Sequence, residues 1–281
     1  MSNNSIANET INHSKNKEPF SIIRLLTNTY FLNAVSLIAF FLLWDYVARE
    51  RIFHDSLARP LEVVDQIVRL TQIKYAGTNL WGHIWASTQR IVIGFFLAAI
   101  VAVPLGLFMA LNKYVNAIVK PLFDLFKPMP PIAWCTIAVL WFGIGETSKV
   151  FIIIIGSFVP CLLNAYNGVR LVDPELYDVI RVLGGSRRDE IFHVCFPASF
   201  PAVFAGLQIS LSVAWTCVLA AELVNSREGM GFLIKRGMDT HKPELVLGGM
   251  LLIAAAAWLT SQLVSLLERK LCPWKRTIDN L

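Results

Sequence analysis

Charge is scarce in this chain. Asp, Glu, Lys and Arg make up only 16% of its 281 residues, while 55% are hydrophobic. A soluble domain is about a quarter charged, so this composition excludes a surface made for water. No CxxC pair occurs. Cys135, Cys161, Cys195, Cys217 and Cys272 stand apart with no metal-like spacing to histidine, and most lie in apolar runs where a small, weakly polar side chain packs. No metal site and no cofactor is expected. The first twenty residues lack the 7–15-residue apolar core of a cleavable signal peptide. They are polar and asparagine-rich, which predicts a cytoplasmic N-terminal tail, residues 1–29, without a packed fold. The GxxxxGK[ST] spacing of a phosphate-binding loop is also absent: the nearest stretch, GIGETSK at 143–149, has the wrong spacing. Nor do the apolar runs hold a His/Asp/Glu cluster or a Ser/His set, and His193 and His241 are isolated in loops. A membrane-embedded enzyme is therefore disfavoured. The net charge of +5 reads as Lys and Arg on the cytoplasmic side of a membrane, with no nucleic-acid partner.

What the chain has in quantity is long apolar runs. A helix needs about 20 apolar residues to cross a bilayer, and six stretches qualify: 30–48, 88–111, 118–142, 149–169, 200–224 and 245–267. An all-α integral membrane fold follows, with residues 30–281 as its transmembrane domain. The third stretch is interrupted by Pro128, Pro130 and Pro131, which no straight helix tolerates. Broken backbone at membrane depth survives only against protein or a water-filled cavity. In the second stretch Gly94, Ala98, Ala102, Gly106 and Ala110 recur every fourth residue, predicting a helix-packing face of small residues. Lys15, Lys17 and Arg24, then Arg170, Arg181, Arg187 and Arg188, then Arg269, Lys270, Lys275 and Arg276 flank the spans. An even number of spans puts these on one side, which the positive-inside rule makes cytoplasmic, termini included. Segments 49–83 and 225–244 then lie outside, although 49–83 is itself basic.

Residues 170–196 are too regular for a plain connector. Asp173-Pro174-Glu175 reads as an acidic helix start with proline just inside it, and a helical run reaches Leu183. Gly184-Gly185 permits a sharp turn, and a second short helix, Ser186 to Cys195, precedes the prolines at 197 and 201 that open the fifth span. Two short amphipathic helices bent at a glycine pair make a knob. A helix pair lying on lipid headgroups is the other reading of the same pattern.

Here the chain resembles the permease subunits of binding-protein-dependent ATP-binding-cassette (ABC) importers. Their loop signature is E-A-A, three residues, G, nine residues, I-x-L-P. This chain has Asp178-Val179-Ile180, then Gly184, then Val194-Cys195-Phe196-Pro197 at the same spacing, with glycine and proline identical. The resemblance implies a type I importer-like fold. It also implies that Asp178, Gly184, Gly185, Ser186, Arg187, Val194 and Pro197 form the ATPase-coupling loop. The stretches KPMPPIAW at 127–134, WFGIGETSK at 141–149, AAE at 220–222 and GMGF at 229–232 are similar to one branch, the permeases for taurine, alkanesulfonates, nitrate and bicarbonate, with the taurine permeases nearest. Two cytosolic ATP-binding subunits, a second permease copy in a homodimer, a periplasmic or lipid-anchored solute-binding protein and a bacterial inner membrane are what it implies as partners and place.

Gln208, Ser212, Trp215, Leu219 and Glu222 fall on one face of the fifth span. Unpartnered polar groups are costly in hydrocarbon, so that face should meet a cavity or another polar helix. Ser157, Asn164 and Asn167 offer a similar face on the fourth. Asp124, Lys127 and Glu222 are read as the ionisable groups within the spans, too few for the proton relay of an ion-gradient-driven secondary transporter, the alternative class. Lys127, just before the proline break, needs a compensating partner, Glu222 or Asp124. Lys127, Gln208, Ser212, Trp215 and Glu222 are the candidate translocation path.

Overall fold

The computed structural model describes residues 29–52 and 56–274, so the predicted tail lies outside the described residues but for Thr29. Two units make up the chain, Met1–Phe53 and His54–Leu281. In the first, α1 (Thr29–Arg49) is long and apolar enough over Phe31–Arg49 to cross a membrane. Its Phe41 and Trp44 rings stack 6.2 Å apart.

The second unit is a helix bundle. It opens with α2 (Pro60–Gln72) in the segment expected outside the bilayer. Proline suits the first helical position because it has no N–H to leave unpaired, and the Arg59 N–H donates to the Glu62 carboxylate at 2.9 Å. Helix α3 (Leu80–Leu111) starts at Asn79, whose side chain accepts from the Gly82 N–H at 2.9 Å. At 1.5 Å per residue it is about 48 Å long, ample for ~30 Å of hydrocarbon. Its small-residue stripe packs along α6 (Glu146–Arg170), the most extensive contact in the bundle. Gly94, Ala98, Ala102 and Gly106 are buried there. A β-carbon at Gly94 would lie 2.6 Å from Ile153, and one at Gly106 would lie 2.9 Å from that of Ala165. Larger residues would push the helices apart. With no hydrophobic force between helices in lipid, close van der Waals contact is what joins them.

The third apolar stretch is broken as the prolines predict. Helix α4 (Lys113–Phe126) and the segment Pro131–Phe142, a 3-10 turn followed by α5 (Trp134–Phe142), meet at 77°. Gly143, at φ +73°, then turns the chain toward α6. Beyond α6 come α7 (Pro174–Val182), the single turn α8 (Arg187–Asp189), α9 (Phe196–Asn225), α10 (Met230–Asp239) and α11 (Pro243–Leu271). One expectation needs correction. The second short helix of the knob, Ser186 to Cys195, is not separate from the fifth span: α8 runs through a π-turn, Glu190–Cys195, straight into α9, giving one span candidate from Arg187 to Val224. Pro197 lacks an N–H and its ring crowds the carbonyl four residues back. A turn widened to π geometry relieves that crowding, so the helix continues where a stop was expected.

The core sits where α3, α6, α9 and α10 converge, with Ile91, Ile153, Trp215, Val218 and Met230 buried together. Outward, the rule of soluble proteins is inverted. Ile100, Phe108 and Trp258 are each more than 60% exposed, and nothing in the most apolar window of α11 is buried. Such a surface is stable only against lipid or another protein. Five helices among the described residues can span a membrane, or six if the bent pair is one span.

Candidate functional site

The knob is built at one end of the bundle. Asp173 caps α7, accepting from the Glu175 N–H at 3.0 Å. At the other end of α7, Gly184 adopts φ +80°, and the Gly185 N–H donates back to the Ile180 carbonyl at 2.9 Å. The next helix starts on Ser186, whose backbone N–H and hydroxyl both donate to Asp189, at 2.8 and 2.6 Å. Arg181 ties the two limbs together, 2.7 Å from Glu190 and 3.3 Å from Asp178. The hydrogen bond that it donates to Glu190 holds the guanidinium above its usual range. Burial, and then contact with Cys195, pushes Tyr177 up to about 12. Val194 and Pro197 are half-buried at the base, Arg187 is exposed, and Val182 and Leu183 are 87% and 78% exposed at the tip. A rigid projection with an apolar tip and basic flanks is suited to seating in another protein.

In the middle of the bundle the polar face of α9 is satisfied mostly by α11. Gln208 donates to Glu268 at 2.8 Å, and the Trp215 indole donates to Thr260 at 3.0 Å. Ser212 is exposed and donates to the Gln208 carbonyl at 3.2 Å. On α6, Asn164 bonds the Pro160 carbonyl at 2.9 Å, Ser157 lends its carbonyl to Ser210 at 2.8 Å, and Asn167 is exposed.

Lys127 ends α4 at the bend, half-exposed. It lines a cavity of about 560 Å³ whose other walls are apolar, among them Phe123, Trp134, Phe158 and Leu162. Of its two candidate partners, Asp124 is the one beside it, at 3.9 Å, and Asp124 is also paired with Lys120.

Glu222 lies elsewhere, in a buried knot at the opposite end from the knob. Its carboxylate has no exposed surface. The Ser87 hydroxyl sits 2.7 and 2.9 Å from its two oxygens, Arg90 Nη1 donates at 2.7 Å, and the Gly231 N–H at 2.8 Å. Arg90 also grips Glu146 through Nε and Nη2, at 2.5 and 2.8 Å, and reaches Glu228 at its carbonyl (3.1 Å) and carboxylate (3.5 Å). All five N–H groups of the guanidinium thus face an acceptor. Lys149 completes the set, bonding Glu146 at 2.8 Å and Ser226 at 3.2 Å. Beside it, His83 Nδ1 accepts from the Gly229 N–H at 3.1 Å, which leaves the proton on Nε2 for the Tyr75 carbonyl at 3.2 Å. Gly229 itself has φ +118°, and a β-carbon there would run into the Glu222 carboxylate.

The knot corrects the sequence reading of the spans. Asp124, Lys127 and Glu222 are not their only ionisable groups: α3 carries Arg90, α6 carries Lys149, and Glu268 sits late in α11. Arg90 could have been found, since it follows Ser87 by three residues on one face of α3 and a buried Glu222 required a cation. Trp215 and Glu222 are interior groups in this structure, so of the α9 stripe Ser212 alone is exposed.

Residues 102–277 match the family described as binding-protein-dependent transport system inner membrane component. The taurine transport system permease protein TauC of Escherichia coli (strain K12) is 32% identical, over 82% of this chain and 84% of that one. The nitrate import permease protein NrtB of Synechocystis sp. (strain PCC 6803) is 28% identical, over 78% and 82%. Among solved structures, the MetNI methionine ABC transporter in an inward-facing conformation superposes with a TM-score of 0.59 at 14% identity, covering 68% of this chain and 97% of that one, a likeness of fold. The chain therefore belongs to the permeases of binding-protein-dependent ABC importers, as a multi-pass inner-membrane subunit whose ATPase is a separate chain.

Proposed function

We propose that two copies of this chain form the translocation path for a small anion, taurine or another sulfonate first, nitrate or bicarbonate next. The knob, Asp178 to Pro197, faces the cytosol and seats in two ATP-binding subunits. The knot end faces outside and receives solute from a periplasmic or lipid-anchored binding protein. Family membership sets aside the ion-gradient alternative. The observation that carries the anion reading is Lys127, a half-exposed ammonium at the wall of an otherwise apolar cavity beside the proline break. In that setting a positive charge favours an oxyanion over a neutral solute. Ser212 is the other exposed member of the path, while Gln208, Trp215 and Glu222 hold α9 in place behind it.

The test is uptake by the complete transporter, with its ATPases and binding protein, in proteoliposomes. Taurine, nitrate and bicarbonate are offered in turn. Lys127→Gln should assemble normally yet lower uptake of the accepted anion by about tenfold, the scale of one charge-assisted contact. Full uptake by this variant would remove Lys127 from the path. Lost assembly restored by exchanging the charges of Lys127 and Asp124 would make it a structural pair instead.

A further inference from the structure

The knot is the floor of a second cavity, about 570 Å³, unrelated to the one at Lys127. Glu146, Lys149, Ser226, Arg227, Glu228 and Lys235 line it. Its charges are not equivalent. Both carboxylates are already engaged from behind: Glu146 accepts from Arg90 and Lys149, and Glu228 from Arg90. The cations are less occupied. Lys149 has two acceptors for its three N–H donors. Arg227 is exposed and Lys235 half-buried, and among the described residues neither makes an ion pair. Three cations thus face two carboxylates, and Lys149, Arg227 and Lys235 all have N–H donors to spare.

The backbone that presents them is fixed. Arg227 sits between Ser226, which Lys149 holds, and Glu228, whose carbonyl Arg90 holds. Gly229 and Met230 are anchored at 3.1 and 2.9 Å by His83 and Ser87, and α10, which carries Lys235, starts there. Free donors on an anchored loop are what a preorganised anion site requires.

We infer that this cavity is an entry subsite for an oxyanion, a sulfonate, nitrate or bicarbonate headgroup, held by the Arg227 guanidinium and the Lys235 ammonium with Lys149 at its base. The inference rests on the anion reading and on the knot end facing outside. A planar guanidinium can give two parallel hydrogen bonds to such a group. The site would hold the anion as it leaves the binding protein, before it reaches Lys127.

The test uses the whole transporter in nanodiscs and measures equilibrium binding of radiolabelled taurine without binding protein, the affinity for liganded binding protein, and taurine uptake. Arg227→Gln and Lys235→Gln should each weaken taurine binding and raise the uptake KM by about tenfold, leaving binding-protein affinity unchanged, and Arg227→Lys should recover part of the loss. Weakened binding-protein affinity with taurine binding unchanged would overturn the subsite and make these cations docking contacts for an acidic partner. Taurine binding and uptake at wild-type level in both variants would overturn it while leaving the anion reading intact. If the unmodified transporter carries nitrate or bicarbonate but not taurine, the same measurements are made with that anion. If it carries none of the three, both readings fall.

Discussion

At the residue scale, the groups most constrained by their surroundings are Arg90 and Glu222. Two ions in a dry interior are stable only when geometry and further hydrogen bonds offset desolvation, and deleting one leaves the other unpaired at a cost of about 3–5 kcal/mol. Arg90→Met should accordingly lower the yield of folded permease and its melting temperature in detergent, because it strips a cation from Glu222, Glu146 and the Glu228 carbonyl together. Glu222→Gln should cost less, since an amide keeps one acceptor for Ser87 or Arg90 while removing the charge. The double variant should be more stable than the sum of the single losses implies, because neither ion is left alone. Strict additivity in thermal unfolding would show that the two do not depend on each other. Gly229→Ala reports on the same knot from its backbone: at φ +118° with Glu222 in the way, it should be nearly as damaging as Arg90→Met.

At the element scale, the knob depends on one left-handed residue. Nothing lies within 4 Å of a β-carbon at Gly184, so a side chain there meets no clash and acts through the backbone alone. Leaving the left-handed region would re-aim α8 and the π-turn away from α7. Gly184→Asp should therefore insert and fold normally, but abolish uptake and release the ATPase subunits on purification. Gly184→Asn should be milder, since asparagine tolerates this conformation best among residues with a side chain. A well-expressed Gly184→Asp permease with wild-type transport would take the knob out of the coupling mechanism. Much at this scale was legible beforehand. The acidic start of α7 and the glycine pair that follows it, the broken third span and the α3 stripe are local patterns, and helix geometry turns them directly into structure. The continuous α8–α9 helix was not legible, because proline after a short amphipathic run signals a stop unless a π-turn makes room for it. The knot was not legible either. It joins Ser87 and Arg90 to Glu146, Glu222 and Met230 across as many as 143 residues of sequence, and no local period reports such a meeting.

At the scale of the whole molecule, orientation in the membrane is what the charges leave open. The knob end carries Arg170, Arg181, Arg187 and Arg188, yet the knot end carries Lys74, Arg227, Lys235, Arg236 and Lys242. Counted as bare charge, both ends are basic, so the positive-inside rule separates them weakly. Part of the basic character of the knot end is internally balanced, as where Arg69 pairs with Asp65 at 2.8 Å. The stronger argument is mechanical. A subunit driven by a cytosolic ATPase must present a stiff, apolar-tipped element to it, and among the described residues the knob has that construction, with its caps, ion pairs and exposed Val182 and Leu183. On the proposed orientation the basic knot end faces outside, where excess positive charge would draw anions toward the entry cavity. Single cysteines decide it, and all five native thiols are buried, which keeps background labelling low. Arg236→Cys should react with a membrane-impermeant maleimide on intact cells, and Arg187→Cys only after the membrane is opened. The reverse pattern would place the knob outside, and the coupling role, the entry subsite and the direction of transport would all have to be abandoned together.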